Sequence, residues 1–155
     1  MIVYILRGPS GAGKSTHARR IVEWSMAAGM KALVMSSDDF FKRDGEYKFD
    51  ATRLSDAHAD CLRRYTQSIA SPGDVDVLVV DNTNTSVAEL APYAALAVAF
   101  GHTLQIVTLD VAPAVAAARG IHGVPAGTVE RQSMTLRAQT QSIPRYWPHK
   151  TLENA

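Results

Sequence analysis

Cysteine is almost missing from this chain: Cys61 stands alone. That excludes an intrachain disulfide and any zinc site built from several thiolates. Long apolar runs are missing too, and no stretch approaches the roughly 18 uninterrupted apolar residues a helical membrane span requires. The opening MIVYILR has no basic region before it, and its apolar run is too short for a signal peptide. A cytoplasmic protein without membrane attachment is therefore expected. Nor does one charge dominate, since 16 Lys and Arg face 15 Asp and Glu for a formal net charge of +1. No overall field draws the protein to nucleic acid, so any such binding must rest on a local patch.

What is present fits a single globular domain over residues 1–155. The chain is 46% hydrophobic and 20% charged, which argues for a buried core and against disorder. Short runs rich in β-branched and aliphatic residues, Ile2–Leu6, Lys31–Ser36, Val75–Asp81 and Thr103–Val111, read as strands buried on both faces. Helical stretches lie between them. Ala18, Ile21, Val22 and Met26 share one face of a helix that Gly29 closes. Leu54, His58, Cys61, Leu62, Tyr65 and Ile69 form a stripe along Thr52–Ala70. Ser86–Phe100 and Thr128–Gln141 add two more helices. This alternation predicts an α/β layer fold.

The first strand runs into Gly8-Pro9-Ser10-Gly11-Ala12-Gly13-Lys14-Ser15, an ungapped match to G-x-x-x-x-G-K-[ST]. Glycines in such a loop bring successive backbone N–H groups close to phosphate oxygens. The helix that follows adds its positive dipole end. Lys14 is then expected to reach the β- and γ-phosphates, and the Ser15 hydroxyl to ligate Mg²⁺. Gly8, Ser10, Gly11, Ala12, Gly13, Lys14, Ser15 and Thr16 are the expected binding set for ATP.

The third strand ends in Asp81 after four aliphatic residues, a Walker B pattern that puts a carboxylate near Mg²⁺. Asn82 follows where a hydrolysing motor usually has a water-activating glutamate, and no Asn-Lys-x-Asp element marks a GTPase. Both absences point away from motors and switches. Transfer to an acceptor needs a base for the acceptor proton. Asp38 and Asp39 leave the tip of the second strand, the end that lines the ligand crevice in such sheets. One is expected to be catalytic and the other to cap a turn. Arg119, before the Gly- and Pro-punctuated stretch Gly120–Gly127, suits a mobile charge-neutralising lid over about 112–130. A solvated arginine in a plain helix–helix connection reads equally well from composition.

Taken together, the phosphate loop, SSDDFF (Ser36–Phe41), VVDNTNT (Val79–Thr85) and ARGIHGVP (Ala118–Pro125) resemble the P-loop polynucleotide kinases. Tyr47, Phe49, the DAHADC stretch around His58 and ELAPYAALA (Glu89–Ala97) extend the similarity from about Ile2 to Leu136. The resemblance implies a kinase-type three-layer sandwich with a parallel sheet in the order 2-3-1-4, helices on both faces and a helical lid. It implies Lys14, Asp38 and Arg119 as catalytic residues, with Asp38 the general base, and Ser15 and Asp81 beside the metal. Asp39, Phe41, Lys42, Arg43, Asp81, Asn84 and His122 form the implied acceptor-binding set. Two positions depart from the pattern. Phe41 stands where the phage enzyme has an arginine on the acceptor phosphate, unless Lys42 or Arg43 replaces it, and the lid pair Arg-Asn reads Arg119-Gly120.

His58, on an apolar stripe, is expected to be an interior structural histidine. His122 either contacts phosphate or shapes the lid. Tyr146-Trp147-Pro148 is expected to dock the chain's end onto the body rather than stack a base. The expected activity is ATP-dependent phosphorylation of a nucleic-acid hydroxyl: a polynucleotide 5′-hydroxyl or a hydroxymethylated base such as hydroxymethyluracil. A small-molecule kinase and a non-catalytic nucleotide-binding module are the alternatives. Oligomeric state leaves no mark in the sequence.

Overall fold

The computed structural model describes residues 1–43, 46–71, 73, 75–120 and 123–153. A parallel sheet is built from β1 (Ile2–Arg7), β2 (Ala32–Met35), β5 (Val77–Asp81), β6 (Thr103–Asp110) and β7 (His149–Glu153), in the order β2-β5-β1-β6-β7. Leu6 lies level with Asp81 in the β1–β5 register, so the phosphate loop leaves the sheet beside the aspartate. Counted along the sheet alone, the order is the expected 2-3-1-4 with a fifth strand added beyond β6. The remaining strands, β3 (Lys42–Arg43) and β4 (Glu46–Tyr47), form a small antiparallel ribbon.

Helices cover both faces. α1 (Lys14–Ala27) packs on one; α2 (Leu54–Ala70) and α3 (Val87–Ala99) pack on the other. α4 (Pro113–Arg119) and α5 (Ala126–Thr140) pack against each other, α5 also against β6. The twofold alternation of strand side chains divides the core accordingly. Val3, Ile5, Leu78, Val80 and Ile106 point at Tyr65, Ile69, Leu90 and Tyr93. Leu6, Val77, Val79, Val107 and Leu109 point the other way, at Ala18, Ile21, Ala116 and Val129.

Three expectations need correction. The buried face of α1 is Lys14, Ala18, Ile21 and Ser25, and Met26 is exposed. Ser25 is accommodated because its hydroxyl donates to the Ile21 carbonyl at 2.7 Å. On α2 the buried line is Ala57, Cys61, Tyr65 and Ile69, spaced by four residues, while Leu54 and His58 in the first turns are exposed. The helix packs against the turn at 37–41 with Ala57 buried, but His58 faces solvent and is not an interior histidine. Finally, β7 has no signature of its own, because four of its five residues are exposed. Its place is fixed by Trp147, buried in the α2/α3-side core just before the strand begins.

Candidate active site

The loop between β1 and α1 has a backbone few residues other than glycine adopt, with φ of 80° at Gly11 and 91° at Gly13. The two glycines serve different ends. A Cβ on Gly11 would lie 1.9 Å from the Ala116 carbonyl oxygen of α4, whereas one on Gly13 would meet nothing within 4 Å. Gly11 is therefore a packing point for α4, and Gly13 lines open space at the start of α1. The first turn of α1 has no side-chain cap and no acidic residue. Its N–H groups and positive dipole end thus suit an anionic ligand. The Ser10 N–H donates to Gln132 Oε1 of α5 at 2.9 Å, a contact that nothing in the sequence pattern signals.

Lys14 is buried under this loop, its ammonium donating to the Gly8 and Pro9 carbonyls at 3.0 and 2.9 Å. Burial lowers its pKa to about 8, against the pull of Asp81 and then Asp38. Asp81, at the end of β5, accepts a hydrogen bond from the exposed Ser15 hydroxyl. Burial raises its carboxyl above the ordinary range, opposed by that hydrogen bond and by Lys14. Ammonium, hydroxyl and carboxylate therefore meet at the mouth of the loop. A magnesium–nucleotide fits this donor set: Mg²⁺ is normally held by one or two protein oxygens, with phosphates and water completing its shell. Among the described residues no trio of His, Cys, Asp or Glu offers a separate metal cage.

The two neighbouring aspartates lie within one 3₁₀ turn, Ser37–Phe41. Ser36 caps it: its hydroxyl accepts from the Asp38 N–H at 3.2 Å, and Asp39 Oδ2 accepts from the Ser36 N–H at 3.1 Å. Asp39 is further held by Lys42 at 2.8 Å and by Arg64 at 3.6 Å. Asp38 is half-buried, feels Lys14 and Asp81, and takes the Tyr47 hydroxyl at 3.5 Å. Burial and then the Asp38 charge push the Tyr47 phenol above its ordinary value. Asp39 is thus spent on the turn, and Asp38 is the carboxylate turned toward the loop's charges.

The turn after β5 ties these parts together. Asn82 Oδ1 accepts from both the Ser37 N–H (2.8 Å) and the Ser37 hydroxyl (3.0 Å). Its amide nitrogen faces Tyr93 Oη at 3.4 Å and Cys61 Sγ at 3.5 Å. Asn84, at a positive φ of 43°, donates to the Leu6 carbonyl at 2.8 Å. Fully buried Arg7 donates to the carbonyls of Asn84 and Thr85, both at 2.9 Å, and to the Thr108 hydroxyl at 3.3 Å. The Gly8 N–H completes the clasp on the Thr83 carbonyl at 2.9 Å.

The structure places the members of the expected acceptor set differently. Asn84 is buried with its amide committed to the end of β1, so it shapes the site from beneath and presents nothing at its surface. Phe41 is likewise buried, packed edge-on to Phe40 and against Phe49. Lys42 is exposed and bonded to Asp39, which raises its pKa. Arg43 lies in β3, and His122 lies outside the described residues. Arg119 is exposed at the end of α4, and the adjoining Gly120 nitrogen would lie 3.2 Å from a Cβ on Gly11, so the helix end abuts the loop. Arg7, Asn82, Arg64 and Gln132 were not foreseen; only the polarity of Arg7 and Asn82 beside buried strand residues could have flagged them. A cleft of about 510 Å³ along the β2 edge against α2 is lined by Leu33, Met35, Arg64 and Val75, among others, and by no residue of the loop.

The fold and site define a P-loop protein of the kinase type, and comparison with known proteins agrees. Residues 3–143 match the model of an AAA domain family, so the chain belongs to that family, a P-loop polynucleotide kinase-like group. It is similar to human NEDD4-binding protein 2, with 30% identity over 135 residues and 84% of this chain covered. The chain spans only 7% of that relative's length. In fold it is similar to a gluconokinase from Sinorhizobium meliloti (TM-score 0.60, 17% identity, 99% of this chain and 82% of that one). It is also similar to the Mycobacterium tuberculosis APS kinase CysC (TM-score 0.52, 19% identity, 69% of this chain and 73% of that one).

Proposed function

We propose that the protein transfers the γ-phosphate of ATP to a hydroxyl group carried by a nucleic acid. The observation that carries this reading is the meeting of Lys14, Ser15, Asp81 and Asp38 at one end of the sheet, with Asp39 withdrawn into the turn. Loop amides, Lys14 and the α1 N-terminus hold the triphosphate. Ser15 and Asp81 would hold Mg²⁺, which would supply charge neutralisation at the phosphate oxygens. Asp38 accepts the acceptor's hydroxyl proton as its oxygen bonds to the γ-phosphorus. The bond from that phosphorus to the bridging oxygen breaks, and ADP leaves. Arg119, at the end of α4 against the loop, steadies the transferred group.

Asp38→Asn tests the assignment. ATP affinity is expected to persist while transfer falls by about 10²-fold or more. Wild-type rates in the variant, or loss of ATP binding, would sink the role given to Asp38. The acceptor is read by offering labelled ATP with 5′-hydroxyl oligonucleotides, hydroxymethyluracil DNA and small alcohols side by side. A small-molecule acceptor is the second reading, favoured by the formal net charge of +1 and by the gluconokinase and APS kinase likeness in fold.

A further inference from the structure

The segment after Asp38 builds a cleft that the transfer chemistry leaves unused. About 270 Å³ in volume, it is lined by Phe40, Phe41, Lys48, Phe49, Asp50 and Arg53. That is just below the roughly 300–1,000 Å³ of typical small-ligand sites, room for one ring system rather than an extended chain. Its walls are planar. Phe41 contacts Phe40 and Phe49 with ring centroids 5.4 and 5.2 Å apart, and the Arg53 guanidinium lies 4.6 Å above the Phe40 ring. Phe49 is 55% exposed, so the aromatic wall is open to a ligand from solvent.

The charged side chains at the rim are already engaged. Lys48 is paired with Glu46 and Arg53 with Asp56, while Asp50 caps the short 3₁₀ turn Ala51–Arg53 through Thr52. A neutral, flat, aromatic group suits this cleft better than a phosphate chain or a sugar. Such groups stack on phenyl and guanidinium planes. The cleft also sits beside the proposed base: Phe40 and Phe41 belong to the same 3₁₀ turn as Asp38. Tyr47, whose ring meets Phe41 at 6.3 Å, reaches Asp38 with its hydroxyl.

From this we infer that the Phe40–Phe49–Arg53 cleft stacks the heterocyclic base of the acceptor nucleotide and so presents its hydroxyl to Asp38. The inference rests on the kinase reading for its purpose but not for its test, which reads binding as well as transfer. Equilibrium binding of a fluorescent 5′-hydroxyl oligonucleotide is compared with the same strand carrying an abasic terminal nucleotide, for wild type, Phe49→Leu and Phe49→Trp.

Stacking is expected to be worth roughly 5- to 100-fold in affinity. Phe49→Leu and the abasic strand should each lose that factor, and their combination should lose little more. Phe49→Trp should restore binding, and ATP affinity should hold throughout. In transfer assays the same factor should appear in the acceptor KM, with kcat changed far less. Equal affinity for intact and abasic strands, no oligonucleotide binding by wild type, or preference for a ring-free sugar alcohol would overturn the cleft's assignment. Binding that follows this pattern with no transfer to any acceptor would keep the cleft and overturn the kinase.

Discussion

Lys14 occupies a place where a positive charge is costly to bury, and its ammonium is held by two carbonyls of its own loop. Its pKa falls from an ordinary 10.5 to about 8 on folding. The sign of the consequence follows directly. Below pH 8 both folded and unfolded chains carry the proton, and the burial penalty is fully present. Between pH 8 and 10.5 only the unfolded chain binds it, so stability rises with pH across that window. Urea unfolding at the two ends of the window should show wild type gaining on Lys14→Met as pH rises. Parallel curves would mean that Lys14 is not the group responsible. The lysine itself was plain in the sequence, since glycine spacing and a following Lys-Ser define a phosphate loop whatever surrounds it. Buried Arg7 was not, because its partners are backbone carbonyls of Asn84 and Thr85, some 78 positions away for the latter. Pattern reading cannot see a partner that any residue type can supply.

At the scale of single elements, two comparisons are informative. Gly11 and Gly13 share a left-handed backbone, but only Gly11 is pressed against α4. Gly11→Ala is therefore expected to cost about 1–3 kcal/mol more than Gly13→Ala in thermal or chemical unfolding, the usual toll of overpacking. Similar losses would show that α4 gives way freely. The 3₁₀ turn Ser37–Phe41 depends on Asn82 in the same manner. Asn82→Ala leaves the Ser37 N–H and hydroxyl buried without that acceptor, a loss of about 1–3 kcal/mol. It should also lower kcat with ATP affinity retained, because the turn that aims Asp38 loosens while the loop does not. An unchanged kcat in a properly folded variant would separate Asn82 from catalysis. The Ser36–Phe41 stretch was legible as a candidate because two aspartates follow a strand tip. Which of them faced the loop was decided by the Ser36–Asp39 capping box, a choice that periodicity does not encode. On α2, helical spacing put His58 on the apolar stripe, yet the stripe meets core only from Ala57 and Cys61 onward.

Over the whole molecule, the order of the first four strands along the chain's sheet followed from the P-loop resemblance. The three inner strands β5, β1 and β6 announced themselves by aliphatic runs buried on both faces, whereas β2, at one edge, leaves Leu33 exposed. β7 stayed hidden because a parallel edge strand with exposed side chains looks like loop in sequence. It is nonetheless tied in by Trp147, which is 7% exposed among Ile143, Leu104 and Ile106. Trp147→Ala should cost about 3–5 kcal/mol by denaturant unfolding, as large core truncations do. A loss under 1 kcal/mol would mean that the edge strand holds without its anchor. The contact between Gly11 and the Ala116 carbonyl, with the Ser10–Gln132 bond beside it, has a further consequence for how the parts move. Helices α4 and α5 share a seam with the loop, so α5 cannot swing outward without releasing the Ser10 amide, nor α4 without parting from Gly11. Substrate access and the tightness of the triphosphate grip are then one motion, and changes far along α5 will register first as altered ATP affinity.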